Sequence, residues 1–355
     1  TELRAAMPNI LLQMLIRGCN GVGYAAYPDN LIQKFVEKSW EKGVDIFRIF
    51  DSLNWMPNIA PCIEMVRNLN GPLAEGALCY TGDILDPKRS KYSLEYYLRL
   101  AKDLENAGAH ILAIKDMSGL LKPYAAKILV EALKDTVKLP IHLHTHDTSS
   151  LQPASYLMAI DAGVNVVDCA LGSLSGLTSQ PNFNAIVEMM RFHERENPYD
   201  TKTLAQFSNY FEAVREYYYP FESGLKASTA EVFHHEIPGG QYSNLKPQAI
   251  ALGLGDKFEQ IKDMYATVND MFGDIVKVTP SSKVVGDMAQ FMVANGLSKD
   301  DVFEKGDNIS FPESVQQFFM GEIGQPEGGF PEALQRIILK DRQPFNDRPN
   351  IHLPP

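Results

Sequence analysis

Cysteine is scarce and scattered in this 355-residue chain: Cys19, Cys62, Cys79 and Cys169 form no Cys-x-x-Cys pair and no dense framework. That spacing excludes a disulfide scaffold and points to reduced thiols. The expected location is the cytosol or an organelle matrix. No apolar run approaches the roughly 18–20 residues of a membrane span, and no signal peptide follows Thr1. Clustered Lys and Arg are missing too. With a formal net charge of −11, the chain offers an acidic, solvated surface and no footprint for nucleic acid. Leu-Gly-Leu-Gly at 252–255 follows no strand-like run, so it reads as a loop and not as a nucleotide fingerprint. The initiator Met is also lacking, and the chain is read as a piece of something longer.

What is present is apolar bulk and a repeat. Hydrophobic residues make up 45% of the chain, enough for a large core. Apolar runs at Ile10–Ile16, Val44–Phe50, Gly76–Tyr80, Ile111–Ile114, Pro140–Leu143 and Val164–Val167 recur roughly every 30 residues, the length of one βα unit. Between them, Leu31, Phe35, Val36 and Trp40 share a helical stripe, as do Tyr97, Leu100 and Leu104. Gly43 and Gly108 stand where helix C-termini favour glycine. Each run ends in polar groups: Arg17, Asp51, Thr81 with Asp83, Lys115 with Asp116, His144 with His146, Ser173 with Ser175. Ends that all converge belong to a closed barrel, whereas an open doubly wound sheet gathers only those near its switch point. The expected fold is therefore α/β, a (β/α)8 TIM-type barrel with six strands in this chain and two upstream of Thr1. From about Arg191 long helical stretches take over, at 203–219, 256–272, 282–295 and 312–322, separated by turns such as Pro238-Gly239-Gly240. The expected division is 1–190 barrel, 191–343 helical extension and 344–355 linker.

Several residues could carry chemistry. His144 and His146 lie two apart on a strand, so they face the same way, with Cα atoms about 7 Å apart. Two imidazoles so placed can reach one ion of the zinc type; His142 shares their parity but lies deeper. Lys115 falls on the interior face of its strand, where a charge must be paired or lost. Pairing with Asp116 or Asp51 is one reading, and a nucleophilic or modified lysine the other. Arg17 has the planar fork that suits a substrate carboxylate, or else a structural salt bridge. Thr279, before Pro280 and a helix, reads from pattern alone as an N-cap.

The segments 15–24 (Leu-Ile-Arg-Gly-Cys-Asn-Gly-Val-Gly-Tyr), 47–55 (Phe-Arg-Ile-Phe-Asp-Ser-Leu-Asn-Trp), 79–87, 114–123, 142–147 and 175–181 resemble the carboxyltransferase domains of the pyruvate carboxylase family. So do 235–245 and 276–288, and the resemblance spans essentially the whole chain. It implies a barrel followed by a funnel-like helical extension. It further implies carboxyl transfer from carboxybiotin to pyruvate, giving oxaloacetate. Lys115 would be a carbamate that ligates a divalent metal (zinc or manganese) together with His144 and His146. Arg17 would hold pyruvate, Tyr24 and Ser282 would line the pocket for the biotin ureido ring, and Thr279 would shuttle a proton. Biotin would arrive on a separate carrier domain, since the chain contains neither an Ala-Met-Lys-Met attachment motif nor an ATP-grasp segment. The implied partners are that carrier and a biotin carboxylase domain, in a homo-oligomer. The implied location narrows to a bacterial cytoplasm or, in a eukaryote, the mitochondrial matrix. The sequence departs from the family in three ways. The Asp-Ala-His-Gln segment that supplies a fourth ligand is not found, Cys19 replaces a small residue, and Asn165 replaces an Asp. An oxaloacetate decarboxylase α or transcarboxylase subunit, a metal-dependent aldol or Claisen-type lyase, and an inactive assembly fragment are the competing readings.

Overall fold

The computed structural model describes residues 1–222 and 224–354. A short helix α1 (Glu2–Ala6) precedes a sheet of six parallel strands in the order β1-β2-β3-β4-β5-β6. These are β1 (Gln13–Ile16), β2 (Ile46–Ile49), β3 (Leu73–Cys79), β4 (Ile111–Asp116), β5 (Ile141–Thr145) and β6 (Val166–Val167). One helix joins each pair: α2 (Asp29–Glu41), α3 (Met56–Arg67), α4 (Leu94–Asn106), α5 (Pro123–Thr136) and α6 (Gln152–Asp161). Strand order follows chain order and never reverses. A doubly wound sheet would contain a switch point, so this wall is of the barrel type.

Local chemistry explains the elements. Ser93 caps α4 by accepting a hydrogen bond from Tyr96 N at 3.3 Å, worth about 1 kcal/mol. Tyr97, Leu100 and Leu104 are buried on α4 as their spacing predicts. On α2 the stripe is rotated by one position. Ile32 and Val36 are the buried pair, while Leu31 is 51% exposed. Trp40 turns outward to pack over Gly71. Gly43 and Gly108 have φ of +104° and +92° just beyond α2 and α4, where a side chain would be strained. Ile10 and Leu11 are exposed and lie outside β1.

The remaining helices are α7 (Phe183–Met189), α8 (Thr201–Tyr218), α9 (Val232–His235), α10 (Gly239–Ala251), α11 (Phe258–Met271), α12 (Ser281–Asn295), α13 (Lys299–Lys305), α14 (Glu313–Met320) and α15 (Glu332–Leu339). A second core forms within 237–339, with Leu53 added from the barrel. Its centre is a cluster of Phe272, Phe318 and Phe319, whose ring centroids lie 5.0–5.4 Å apart. The expected turn at Pro238-Gly239-Gly240 is instead the start of α10, with Pro238 as its N-cap. Pro fits there because no intrahelical donor is lost. No described helix is long and apolar enough to cross a membrane.

The second unit is fastened over the ends of β2 and β3. Tyr92 donates to Asp274 O at 2.9 Å, Lys277 to Thr81 Oγ1 at 3.2 Å, and Ser281 to Ser52 O at 3.1 Å. Val276 and Val278 pack with the barrel core. Residues 344–355, expected as a linker, also make contacts. Arg348 donates to Asp29 at 2.6 Å, and Asn350 donates to Cys19 O at 3.2 Å and Tyr27 O at 2.6 Å.

The loop after β3 depends on one hydroxyl. Fully buried Tyr97 donates to Thr81 O at 2.7 Å and accepts from Thr81 N at 2.9 Å. Tyr97→Phe leaves both backbone groups unpaired, so a loss of about 1–3 kcal/mol is expected, read as a lowered thermal midpoint. Unchanged stability would show that water replaces the hydroxyl.

Candidate active site

β4 delivers Lys115 into the barrel interior, where it is 3% exposed. Its Nζ sits 4.5 Å from the centroid of the Phe50 ring and touches Met117 Sδ. No carboxylate pairs with it among the described residues. Asp51 accepts from Leu53 N, Trp55 N and Asn58 Nδ2 at 2.8–3.1 Å. Asp116 accepts from Leu120 N, Leu121 N and Thr145 Oγ1 at 2.7–3.0 Å. Both acids hold their own loops, so pairing of Lys115 with either is overturned. Burial raises each of these carboxyls to about 6. The same desolvation lowers Lys115 to about 8, which enlarges its share of neutral, nucleophilic amine.

Lys115 and His144 are register partners on adjacent strands. Around them β5 brings the two imidazoles together. Their ring centroids are 5.2 Å apart, and His144 Nε2 faces His146 Nε2 at 3.3 Å. The other nitrogen of each ring is engaged. His146 Nδ1 meets Thr178 O at 2.6 Å, which fixes it as the donor, and His144 Nδ1 meets Asp168 Oδ2 at 2.8 Å. Burial lowers the pKa of His144, and burial with the neighbouring His144 takes His146 to about 3. Both rings are therefore neutral near pH 7, each with a lone pair turned toward the other. Two facing lone pairs at that distance repel unless a cation lies between them. α10 closes the other side. A Cβ on Gly239 would come within 2.9 Å of His146 Nδ1 and 3.1 Å of Thr178 O.

Below the histidines lies a charged layer that strand-end reasoning missed. Arg48 donates to Glu75 at 3.0 Å and to Asp168 at 2.7 Å, and His142 contacts Asp168 at 2.7 Å. Gln13 donates to Glu75 as well. Burial opposes the charge on Asp168. The His142 and His144 hydrogen bonds and the Arg48 charge overcome it, holding the carboxyl far below the usual range. Alternation inward from His144 reaches His142, whereas Arg48 and Glu75 meet only through the register of β2 against β3.

Arg17 follows β1 and spends Nη1 on Val22 O at 2.5 Å and Gly23 O at 3.2 Å, with its guanidinium 5.5 Å from the Tyr24 ring centroid. Tyr24 is 57% exposed. No salt bridge engages Arg17 among the described residues, and the structural ion pair considered for it is absent there. Thr279 lies in the turn before α12 and makes no side-chain hydrogen bond among the described residues; the N-cap is Pro280. The capping role read from pattern is thereby overturned. Ser281, two residues on, accepts from Val278 N at 3.1 Å. Ser282 is fully buried and its Oγ has no hydrogen-bond partner among the described residues. Arg17 with Tyr24 and Thr279 with Ser282 form two pairs on opposite units, and no hydrogen bond joins them among the described residues. Ser173 and Ser175 stand apart, in and after a 3-10 turn at 172–174.

Two neutral imidazoles are a partial donor set. Among the described residues no group of three or more His, Cys, Asp or Glu is placed to hold a metal ion unaided. Lys115 adds an oxygen donor only as a carbamate. With that change the donors suit a divalent ion that accepts nitrogen and oxygen.

Two protein families match the chain: Conserved carboxylase domain over residues 232–355 and HMGL-like over residues 51–211. Pyruvate carboxylase of Bacillus subtilis is 54% identical over 354 residues, covering 100% of this chain and 31% of that protein. The mitochondrial pyruvate carboxylase of Homo sapiens is 48% identical, with 100% and 30% covered. The chain thus spans about a third of these relatives. The carboxyl transferase domain from Rhizobium etli pyruvate carboxylase superposes with a TM-score of 0.97 at 52% identity, covering 99% of this chain and 59% of that one. The same domain solved with pyruvate and biocytin gives 0.98. At this identity over the whole chain and with this superposition, the chain belongs to the carboxyltransferase domains of the pyruvate carboxylase family.

Proposed function

We propose that this domain transfers a carboxyl group from carboxybiotin to pyruvate, yielding oxaloacetate. The observation that carries this reading is the convergence of two neutral imidazole lone pairs beside a buried lysine without a counter-ion. The carboxyl donor is supplied by biotin carboxylase and biotinyl carrier domains of the same protein. A structure named as a complete multifunctional pyruvate carboxylase from Rhizobium etli is about three times the length of the part matched here. The assembled enzyme is a homo-oligomer in this proposal.

His144, His146 and carbamylated Lys115 hold the divalent ion, zinc or manganese. Such an ion, when bound, polarises the ketone of pyruvate and eases loss of a methyl proton. The chain's own residues do the rest. Arg17 has Nη2 uncommitted among the described residues and anchors the pyruvate carboxylate. Ser282 offers a buried hydroxyl without a partner to the ureido carbonyl, and Tyr24 walls the pocket. Thr279 Oγ1 takes the methyl proton of pyruvate and passes one to the ureido nitrogen as CO2 leaves it. The new C–C bond then forms between that CO2 and the methyl carbon, and charge and protons balance. The test is oxaloacetate formation by the full-length protein from pyruvate, ATP and bicarbonate, read through malate dehydrogenase and NADH. No pyruvate-dependent oxaloacetate would overturn the proposal.

Arg17→Lys keeps the charge and one donor to the Val22 carbonyl but loses the fork. Losing a charge-assisted hydrogen bond of about 1.5–3 kcal/mol lowers kcat/KM for pyruvate about 10–100-fold. Wild-type steady-state kinetics would refute the contact.

A further inference from the structure

We infer that Asp168 is a positioning residue that fixes His144, and that Arg48 holds Asp168 for that purpose. The inference rests on His144 and His146 holding a divalent cation. Asp168 follows β6 directly, and its two oxygens are fully engaged. Oδ2 meets His144 Nδ1 at 2.8 Å and Arg48 Nη1 at 2.7 Å, while Oδ1 meets His142 Nε2 at 2.7 Å. A carboxylate at Nδ1 selects the tautomer with the proton on Nδ1, so the lone pair of His144 resides on Nε2. It also fixes ring rotation and increases the electron density available at Nε2. On His146 the backbone carbonyl of Thr178 performs the same service. The two nitrogens thus face each other because each ring is pinned from behind by a different acceptor.

The support for Asp168 crosses the barrel. Arg48 on β2 is buried and is held in turn by Glu75 on β3 at 3.0 Å. Glu75 also takes a hydrogen bond from Gln13 on β1. Strands β1, β2, β3, β5 and β6 therefore meet in one polar layer whose upper surface is the back of His144. This connects packing to function: the layer lies behind one of the two imidazoles and not behind the other.

The test is a double-substitution cycle in the full-length protein, read as the affinity for Zn2+ in chelator-buffered solution containing bicarbonate. Asp168→Asn keeps the shape and an acceptor oxygen but removes the charge. It is expected to weaken Zn2+ binding about 10–100-fold. In a His144→Ala background the same change is expected to have less than about a threefold effect, because there is no ring left to orient. A merely structural Asp168 would weaken binding equally in both backgrounds, and that result overturns the inference. Wild-type affinity in Asp168→Asn overturns it as well. If His144→Ala alone binds Zn2+ as tightly as wild type, the underlying assignment of His144 has failed instead, and the two failures are distinguishable. Arg48→Lys keeps a charge beside Asp168 with a less exact fit, and an intermediate affinity is expected. Circular dichroism of each variant confirms the fold before titration.

Discussion

Thr279→Ala lowers carboxyl transfer to pyruvate by about 10²–10⁴-fold, the usual worth of a positioned proton donor and acceptor, with stability changed by less than about 0.5 kcal/mol. The two halves of this expectation come from different observations. Stability is spared because the Thr279 side chain makes no hydrogen bond among the described residues and does not cap α12. Ser281 binds the turn in its place, at Val278 N and at Ser52 O. Activity is lost because pyruvate must give up a methyl proton while the ureido nitrogen gains one. A neutral hydroxyl can serve both without leaving a net charge in a dry pocket. Thr279→Ser keeps the hydroxyl and retains part of the rate. Carboxylation of biotin in the full-length protein continues in both variants. A destabilised Thr279→Ala enzyme with normal turnover per folded molecule would sink the shuttle.

The second large effect is on metal content. Replacing His144 and His146 together with Ala is expected to weaken metal affinity by well over ~100-fold, since losing only the residue behind a ligand costs about 10–100-fold. Purified full-length protein then contains little of the bound ion that the wild type retains, measured by inductively coupled plasma mass spectrometry. Unchanged metal content in the double variant would refute the assignment.

The sequence reached the barrel by an argument only partly sound. Strand number and order follow from the spacing of the apolar runs, and the structure bears them out. Polar strand ends do converge at Lys115, His144 and His146. Asp51 and Asp116 instead turn back to bind backbone amides of their own loops. A carboxylate after a strand has two low-energy uses, ligand and loop staple, and sequence spacing alone does not separate them. The histidine pair was legible because two residues of one parity at a strand end are a local pattern. Asp168, Arg48 and Glu75 were not, because their meeting depends on which strands adjoin and on how deep each side chain sits. Gly239 illustrates the same limit. Its backbone lies against His146, yet from sequence the Pro-Gly-Gly cluster is an ordinary turn signal. The misplaced stripe on α2 arose from a single residue of phase, with Leu31 chosen where Ile32 is the buried residue.

The strap formed by Arg348 and Asn350 has a kinetic consequence. Arg348 reaches Asp29 across 319 positions of chain, and Asn350 reaches Cys19 across 331. Contacts of that separation form late, because the entropy of closing so large a loop must be met before they give anything back. The loop from 17 to 29, which contains Arg17 and Tyr24, therefore gains its final shape only after the helical unit has folded and brought residues 348–350 alongside. During synthesis from the N-terminus, the barrel wall can be in place while this loop is still unlatched. The pyruvate contact proposed for Arg17 would then be completed late, and partly folded molecules would lack it.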